Sequence, residues 1–396
     1  TQIDVKTAKA ALFPSLSFST SQQVVNRPYQ ETSSRVSGSE IISSNSKTSY
    51  NGNYGLNASW TLYNGNKRLK TIQQEKLNNQ VAELDVATSE NNIQESIAQV
   101  YIQILYAAES VKVNESTLQV SIAQRDRGQE LLNAGSIAKS DFAQLEAQVS
   151  TDRYQLVTAQ ATLEDYKLQL KQLLELDGEN EMNIYLPALS DENVLAPLPT
   201  KKDVYISALS LRPEIEASKL NVEASELGIG IAKSSYLPTI SLSAGIGTNH
   251  TSGSDFTFGE QVKNGWNNSI GLSVSVPIFN NRQTKSAVQK AKLQYETSML
   301  SLLDEQKTLY KTIEGLWLDA NSAQQRYAAA NEKLKSTQIS YELISEQFNL
   351  GMKNTIELLT EKNNLLQAQQ EQLQAKYMAI LNTQLLKFYQ GDQLAL

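Results

Sequence analysis

Apolar side chains occupy every second position in four stretches of the chain: Leu16 and Phe18; Leu56, Ala58, Trp60 and Leu62; Ile240, Leu242, Ala244 and Ile246; and Ile270, Leu272, Val274, Val276 and Ile278. The intervening positions are mostly Ser, Thr, Gly or Asn. Each stretch therefore predicts a β-strand with one apolar face and one small, polar face. Elsewhere the spacing changes to threes and fours. Ile93, Ile97, Val100, Ile104, Ala108, Val111, Leu118 and Ile122 form such a series, the seam of a coiled coil. With no proline between Pro28 and Pro187, a helix over 66–133 would run ~100 Å at 1.5 Å per residue. An ordinary coiled-coil rod would explain this segment taken alone.

The pattern occurs twice. Phe13-Pro14-Ser15-Leu16-Ser17 returns 224 positions later as Leu237-Pro238-Thr239-Ile240-Ser241. Trp60-Thr61-Leu62-Tyr63-Asn64 and Asn133-Ala134-Gly135 return 216 positions later as Val276-Pro277-Ile278-Phe279-Asn280 and Asn349-Leu350-Gly351. Internal similarity at fixed offset marks a duplication. The first half, 1–200, is predicted to hold strands about 15–25 and 54–63, helices about 66–133 and 138–176, and a linker over 177–200. The second half, 201–396, is predicted to hold helices about 203–210 and 213–236, strands about 239–248 and 268–279, and helices about 282–349 and 354–390. By repeat alignment 1–12 matches only the end of a helix, so residues are expected upstream of Thr1.

No run approaches the ~18 apolar residues of a spanning helix, so a chain of this pattern crosses a bilayer only as a closed barrel. Each strand has about the ten residues that such a crossing needs. The segments 23–53 and 249–267 read as long polar loops. Phe13, Trp60 and Tyr63 in one half, and Tyr236, Trp266 and Phe279 in the other, lie toward strand ends, as an interfacial aromatic girdle requires. Four strands cannot enclose a lumen, because ~8 are needed before a barrel interior holds even side chains. Several copies must pool their strands.

Composition narrows the function. The net charge of −7 argues against a nucleic-acid backbone as partner. There is no cysteine and a single histidine, His250, so thiolate or multi-histidine metal sites and His-based acid–base catalysis are unavailable. Gly228-Ile229-Gly230 and Gly245-Ile246-Gly247 lack the third glycine of a dinucleotide fingerprint. Neither an enzyme nor a cofactor is expected.

Phe13-Pro14, Tyr63-Asn64-Gly65, Leu211-Arg212-Pro213-Glu214, Tyr236-Leu237-Pro238, Val276-Pro277-Ile278-Phe279-Asn280 and the turns at Gly135 and Gly351, in this order and spacing, resemble the TolC family of outer-membrane factors. The resemblance covers essentially the whole chain. It implies a mainly α fold with a membrane β-barrel, in which three protomers give four strands each to a twelve-stranded barrel continued by an α-helical tunnel into the periplasm. It also implies residence in the outer membrane of a Gram-negative bacterium. The family's work is passive exit of cargo from an efflux pump or type I secretion system, with a periplasmic adaptor and an inner-membrane transporter as partners.

By the same resemblance, Gly135 and Gly351 match tip glycines where adaptors dock. Ser140 and Asp141 match a Thr-Asp pair of the tip latch, and Lys353 takes the place of a latch Arg. Lys lacks the planar fork of Arg, so such a latch is expected to be weaker. Phe348 stands where a Tyr is frequent and has no hydroxyl to give Asp141. Glu357 matches the first acid of an aperture ring, and Thr360 replaces the second; three copies of Glu357 on one axis would raise one another's pKa and draw cations. The rival is a soluble periplasmic coiled-coil scaffold or adaptor, which leaves the four alternating strands unexplained.

Overall fold

The computed structural model describes residues 1–29, 33–37, 40–44, 47–176, 184–185, 194–254 and 256–394. Most of the expected linker, Pro187 included, lies outside these residues. The elements in chain order are α1 (Gln2–Ala10), β1 (Ser15–Asn26), β2 (Ser33–Ser37), β3 (Glu40–Ser44), β4 (Thr48–Asn64), α2 (Lys67–Asn133), α3 (Lys139–Leu173), α4 (Lys201–Leu211), α5 (Pro213–Ser234), β5 (Thr239–Thr251), α6 (Phe258–Asn264), β6 (Asn267–Ser275), α7 (Gln283–Asn349) and α8 (Thr355–Gln390). They form two compact units. One comprises Thr1–Glu83 with Ala217–Leu302, the other Leu84–Glu216 with Leu303–Leu396, so each draws on both repeat halves. Among the described residues no helix is long and apolar enough to cross a membrane.

The first unit holds an antiparallel sheet of order β1-β4-β5-β6. Register places Leu16, Ala58, Ala244 and Ile270 in one cross-strand row and Ser15, Ser59, Ser243 and Gly271 in another. Because side chains alternate between faces, one face is apolar and the other is a hydroxyl and amide surface. Ser15 Oγ and Ser59 Oγ share a bond at 2.8 Å, and Asn57 and Asn53 donate to Ser19 and Ser21 at 3.3 and 3.2 Å. The apolar face is largely uncovered: Leu16 is 70% exposed, Phe18 67%, Ile270 78% and Leu272 65%.

Three expectations need correction here. The strand expected to end at 279 stops at Ser275, because Pro277 has no N–H to give a ladder. The segments read as loops are partly ordered: β1 runs on to Asn26 and β4 begins at Thr48, with the β2–β3 hairpin between them. In the second half α6 starts on a reciprocal cap, where Glu260 accepts from the Thr257 amide at 2.8 Å and Thr257 Oγ1 accepts from Glu260 N at 3.4 Å.

Both halves turn from strand to long helix through two successive left-handed residues, Gly65 (φ 66°) and Asn66 (φ 61°) in the first and Asn281 (φ 52°) and Arg282 (φ 64°) in the second. At Gly65 a Cβ would lie 2.8 Å from the Ser234 carbonyl oxygen and 2.9 Å from Leu237 Cβ. Glycine is therefore demanded there by both conformation and space.

The second unit is a helical bundle built largely around α8. Leu386 and Tyr389 pack with Val204, Ala208, Ile215, Leu309, Ile313 and Ala320, and Tyr377, Leu381 and Leu385 pack with Ile102 and Leu105 of α2. The expected α2 seam is only partly buried: Ile104, Ala108 and Leu118 are inside, whereas Ile93 is exposed. The buried face around 98–108 is wider than one seam because α8 packs onto Ile102 and Leu105. Arg212 is buried among Glu95 at 3.3 Å and Glu214 at 2.8 Å, with its guanidinium 4.2 Å from the Tyr389 ring centre. Burial raises the Glu95 carboxyl above its ordinary range against the pull of Arg212, and burial and Glu95 push the Tyr389 hydroxyl up to about 12.

Candidate gate at the helix turns

The two helical hairpins α2–α3 and α7–α8 close through turns of the same build. Gly135 has φ 73° and Gly351 φ 74°. In the first turn the Ser136 amide donates to the Leu131 carbonyl at 2.8 Å and the Gly135 amide to Leu132 at 3.0 Å. In the second, Met352 donates to Gln347 at 2.8 Å and Gly351 to Phe348 at 2.9 Å. This pair of bonds around a left-handed glycine satisfies carbonyls that a helix end leaves orphaned. A Cβ at either glycine would meet no atom within 4 Å, so conformation alone demands glycine at these turns.

The next helix starts differently in the two hairpins. Asn354 caps α8, its side chain accepting from Glu357 N at 2.9 Å. Glu357 accepts in return from Asn354 N at 3.1 Å and from Lys353 Nζ at 2.6 Å. The bond from Lys353 and that from the Asn354 amide hold the Glu357 carboxyl below its ordinary range. At α3 the N-cap is Ala138, which has no acceptor, and only the return bond forms, from Ala138 N to Asp141 at 3.3 Å. Ser140 is exposed and Phe348 is buried. Leu350, Met352 and Ile356 stand 75%, 72% and 62% exposed around the second turn.

The expected site residues are thus distributed as follows. Gly135 lies with Ser140 and Asp141 at one turn, and Gly351 with Lys353 and Glu357 at the other. Within one chain Lys353, in the turn, is engaged by Glu357 of the helix that follows it, and Asp141 by the start of its own helix. In the first unit Phe13, Tyr63, Tyr236 and Phe279 lie near the sheet end where β1 and β5 begin and β4 and β6 finish. Trp266 precedes β6 at the opposite end, and Trp60 lies within β4, donating from Nε1 to the Leu12 carbonyl at 2.7 Å.

A third cluster escapes the sequence reading. Ser121 of α2, Asp152 of α3 and Lys362 of α8 are buried together, with Lys362 Nζ donating to both partners and Ser121 Oγ to Asp152 Oδ2. The other Asp152 oxygen accepts from Gln148 at 2.9 Å. Burial pulls the Lys362 ammonium below its ordinary range, with Asp152 opposing the fall. The available signal is opposite charges at seam positions, Asp152 after Leu145 and Val149, and Lys362 between Leu358 and Leu365.

The outer membrane efflux protein family matches residues 1–175 and 204–391 of the chain. The outer membrane efflux protein BepC of Brucella suis is 24% identical over 74% of the chain and 61% of its own length. Outer membrane protein TolC of Escherichia coli is 23% identical over 76% of the chain and 62% of its own length. The chain spans about three fifths of the length of these two relatives. Among solved structures, CusC, described as undergoing conformational changes accompanying folding and transmembrane channel formation, superposes with a TM-score of 0.81 at 19% identity, over 99% of this chain and 86% of CusC.

Proposed function

We propose that this chain, which belongs to the outer membrane efflux protein family, is one protomer of a trimeric exit duct that carries cargo passively across the outer membrane of a Gram-negative bacterium. The observation that carries the reading is the sheet. Among the described residues its edge strands are β1 and β6, and its apolar face exposes Leu16, Phe18, Ile270 and Leu272 together. Such edges demand pairing, and such a face demands an apolar solvent. Three copies joined edge to edge give twelve strands, enough to enclose a lumen, with the apolar face to lipid and the Ser, Asn and Thr face to water. A soluble scaffold gives this surface nothing to cover it.

The helical hairpins continue the duct into the periplasm and close it at their turns. Gly135 and Gly351 mark the surface on which a periplasmic adaptor docks, itself bound to an inner-membrane transporter that supplies the energy. Leu350, Met352 and Ile356 supply apolar contact area there. Ser140, Asp141 and Lys353 form a latch between neighbouring protomers, Glu357 a ring of carboxylates at the aperture, and Phe13, Trp60, Tyr63, Tyr236, Trp266 and Phe279 the barrel's aromatic girdle. Opening moves the hairpins outward. Efflux and type I secretion both fit a wide polar duct, and neither asks the chain for catalysis, a cofactor or a metal.

Detergent-extracted protein should run as a trimer and give stepwise conductance in a planar bilayer. A water-soluble monomer that never conducts would end the proposal.

A further inference from the structure

Charge is distributed unevenly between the two ends of the sheet. Around the end where β1 and β5 begin and β4 and β6 finish, segments 1–14, 64–74, 227–238 and 276–295 hold ten Lys or Arg and one acid, Asp4. The segments that connect the strands at the other end, 23–53 and 249–267, hold four Lys or Arg and four acids. The chain as a whole carries a net charge of −7. The helix end of the sheet is therefore a basic collar on an acidic protein.

Two of the ten cations are engaged by backbone. Arg68 donates to the Ala11 carbonyl at 2.8 Å and to that of Thr61, and Lys70 Nζ donates to the Gly230 carbonyl at 3.4 Å. Lys67, Lys233, Arg282 and Lys285 are exposed, and their side chains have no hydrogen bond or ion pair among the described residues. Ser234 Oγ donates to the Gly65 carbonyl at 2.9 Å, which sets Lys233 and Lys67 at adjoining helix ends.

Helix stability accounts for only part of the collar. Lys9 and Lys233 close α1 and α5, where a cation suits the helix dipole. Lys67 and Lys285 open α2 and α7, whose first turns hold no acid, and a cation there opposes the dipole. At the same level the apolar face of the sheet ends. A register shift after Thr61 sets Tyr63 beside Ile240, and Ile278 and Phe279 stand 96% and 81% exposed. Cations lining a lumen have no reason to share the level of an apolar boundary. A boundary between hydrocarbon and headgroups calls for both, aromatic rings at the edge and long basic side chains reaching past it.

We propose that Lys67, Lys233, Arg282 and Lys285 bind the phosphates of anionic phospholipid headgroups in the leaflet nearest the helices. The inference rests on the duct reading, which puts the sheet in a bilayer. Each Lys or Arg near an anionic surface favours it by about fivefold, and salt screens the attraction.

Tryptophan reports the two ends separately, Trp60 within β4 on the collar side and Trp266 at the opposite end. Trp317 lies in the other compact unit and gives a constant background. The Trp266→Phe and Trp60→Phe trimers are reconstituted into mixed vesicles of phosphatidylglycerol and phosphatidylcholine, with one lipid or the other brominated on its chains. Quenching of Trp60 should favour brominated phosphatidylglycerol by about fivefold or more. The preference should vanish in high salt and when Lys67→Gln, Arg282→Gln and Lys285→Gln are combined, while Trp266 should show none. Equal quenching of Trp60 by the two lipids would overturn the proposal. So would a preference that survives the triple substitution while ion selectivity moves toward cations, which would place these side chains in the lumen. The three side chains have no partner within the protomer, so the triple variant should give the parent's trimer yield. If that yield falls, the salt dependence of the unsubstituted collar still decides, and a preference indifferent to salt counts against the proposal. A parent trimer that neither inserts nor conducts sinks the duct reading and the collar together, whereas one that conducts without lipid preference overturns the collar alone.

Discussion

Replacing Gly351 separates two roles that the turn can play, terminating a helix and presenting a docking surface. At φ 74°, with no atom within 4 Å of where a methyl would stand, Gly351→Ala costs only the left-handed penalty of an L-residue, ~1–2 kcal/mol. That shifts the opening of the turn by about 5–30-fold. Gly351→Asn adds a larger side chain but tolerates left-handed backbone, so most of this penalty vanishes. The readout is hydrogen exchange of the amides of Gly351 and Met352, whose bonds to Phe348 and Gln347 close the turn, beside binding of the purified cognate adaptor to the trimer. Ala should accelerate exchange about tenfold and Asn should not. If Gly351 is part of the docking surface, Asn should nevertheless abolish adaptor binding. Equal exchange in Gly and Ala forms would refute the conformational argument, and full adaptor binding by the Asn variant would reduce Gly351 to a terminator. Gly65→Ala is the control: its methyl would strike the Ser234 carbonyl oxygen at 2.8 Å, so trimer yield itself should fall.

Three further outcomes follow from the geometry. Arg212→Met leaves Glu95 and Glu214 half-stranded in the bundle and should cost about 3–5 kcal/mol, read as a lower dissociation temperature of the trimer; an unchanged temperature would mean that water already serves the two acids. Leu272→Arg places a charge on the lipid face and should cost about 2–4 kcal/mol at mid-bilayer, blocking assembly. Ser273→Arg, one position on, should assemble and move ion selectivity toward anions; the reverse result would invert the assignment of the two faces. Because the folded Glu357 carboxyl lies below its ordinary value of 4.5, its cap on α8 is fully present above that value and lost as pH falls through the depressed one. Exchange at Thr355–Leu358 should therefore rise only in acid, Glu357→Gln should reproduce the rise at neutral pH, and the same variant should lower cation preference if the ring exists.

What the chain's pattern reveals follows from which interactions are periodic. Alternation at 240–246 and 270–274 is legible because every second side chain falls on the one apolar face of the sheet, and the helix stop at Gly351 because glycine takes that left-handed backbone at the least cost. The end of β6 is easily misread because Val276 and Ile278 continue the alternation while Pro277, between them, cannot donate. Arg282 at φ 64° carries no local signal at all. Its conformation is legible only through the duplication, as the counterpart of Asn66 after Gly65. The buried cluster is hidden for the opposite reason: Asp152 and Lys362 look like solvated charges until the partner helix is placed.

The duplicated turns have diverged in what surrounds an identical glycine. Around Gly351 the start of α8 is fixed three ways, by the Asn354 side chain, the Glu357 return bond and Lys353, and three large apolar side chains project from it. Around Gly135 the cap is an alanine and one bond of the pair is absent. A surface already held in its bound shape loses less freedom on association, and apolar area supplies the driving force. On the docking proposal, the second-half tip should therefore supply affinity and the first-half tip should yield. Truncating Met352 and Leu350 to Ala should weaken adaptor binding more than any pair of substitutions at Ser136 and Ser140. An equal loss at both tips would mean that the two copies still share the contact evenly.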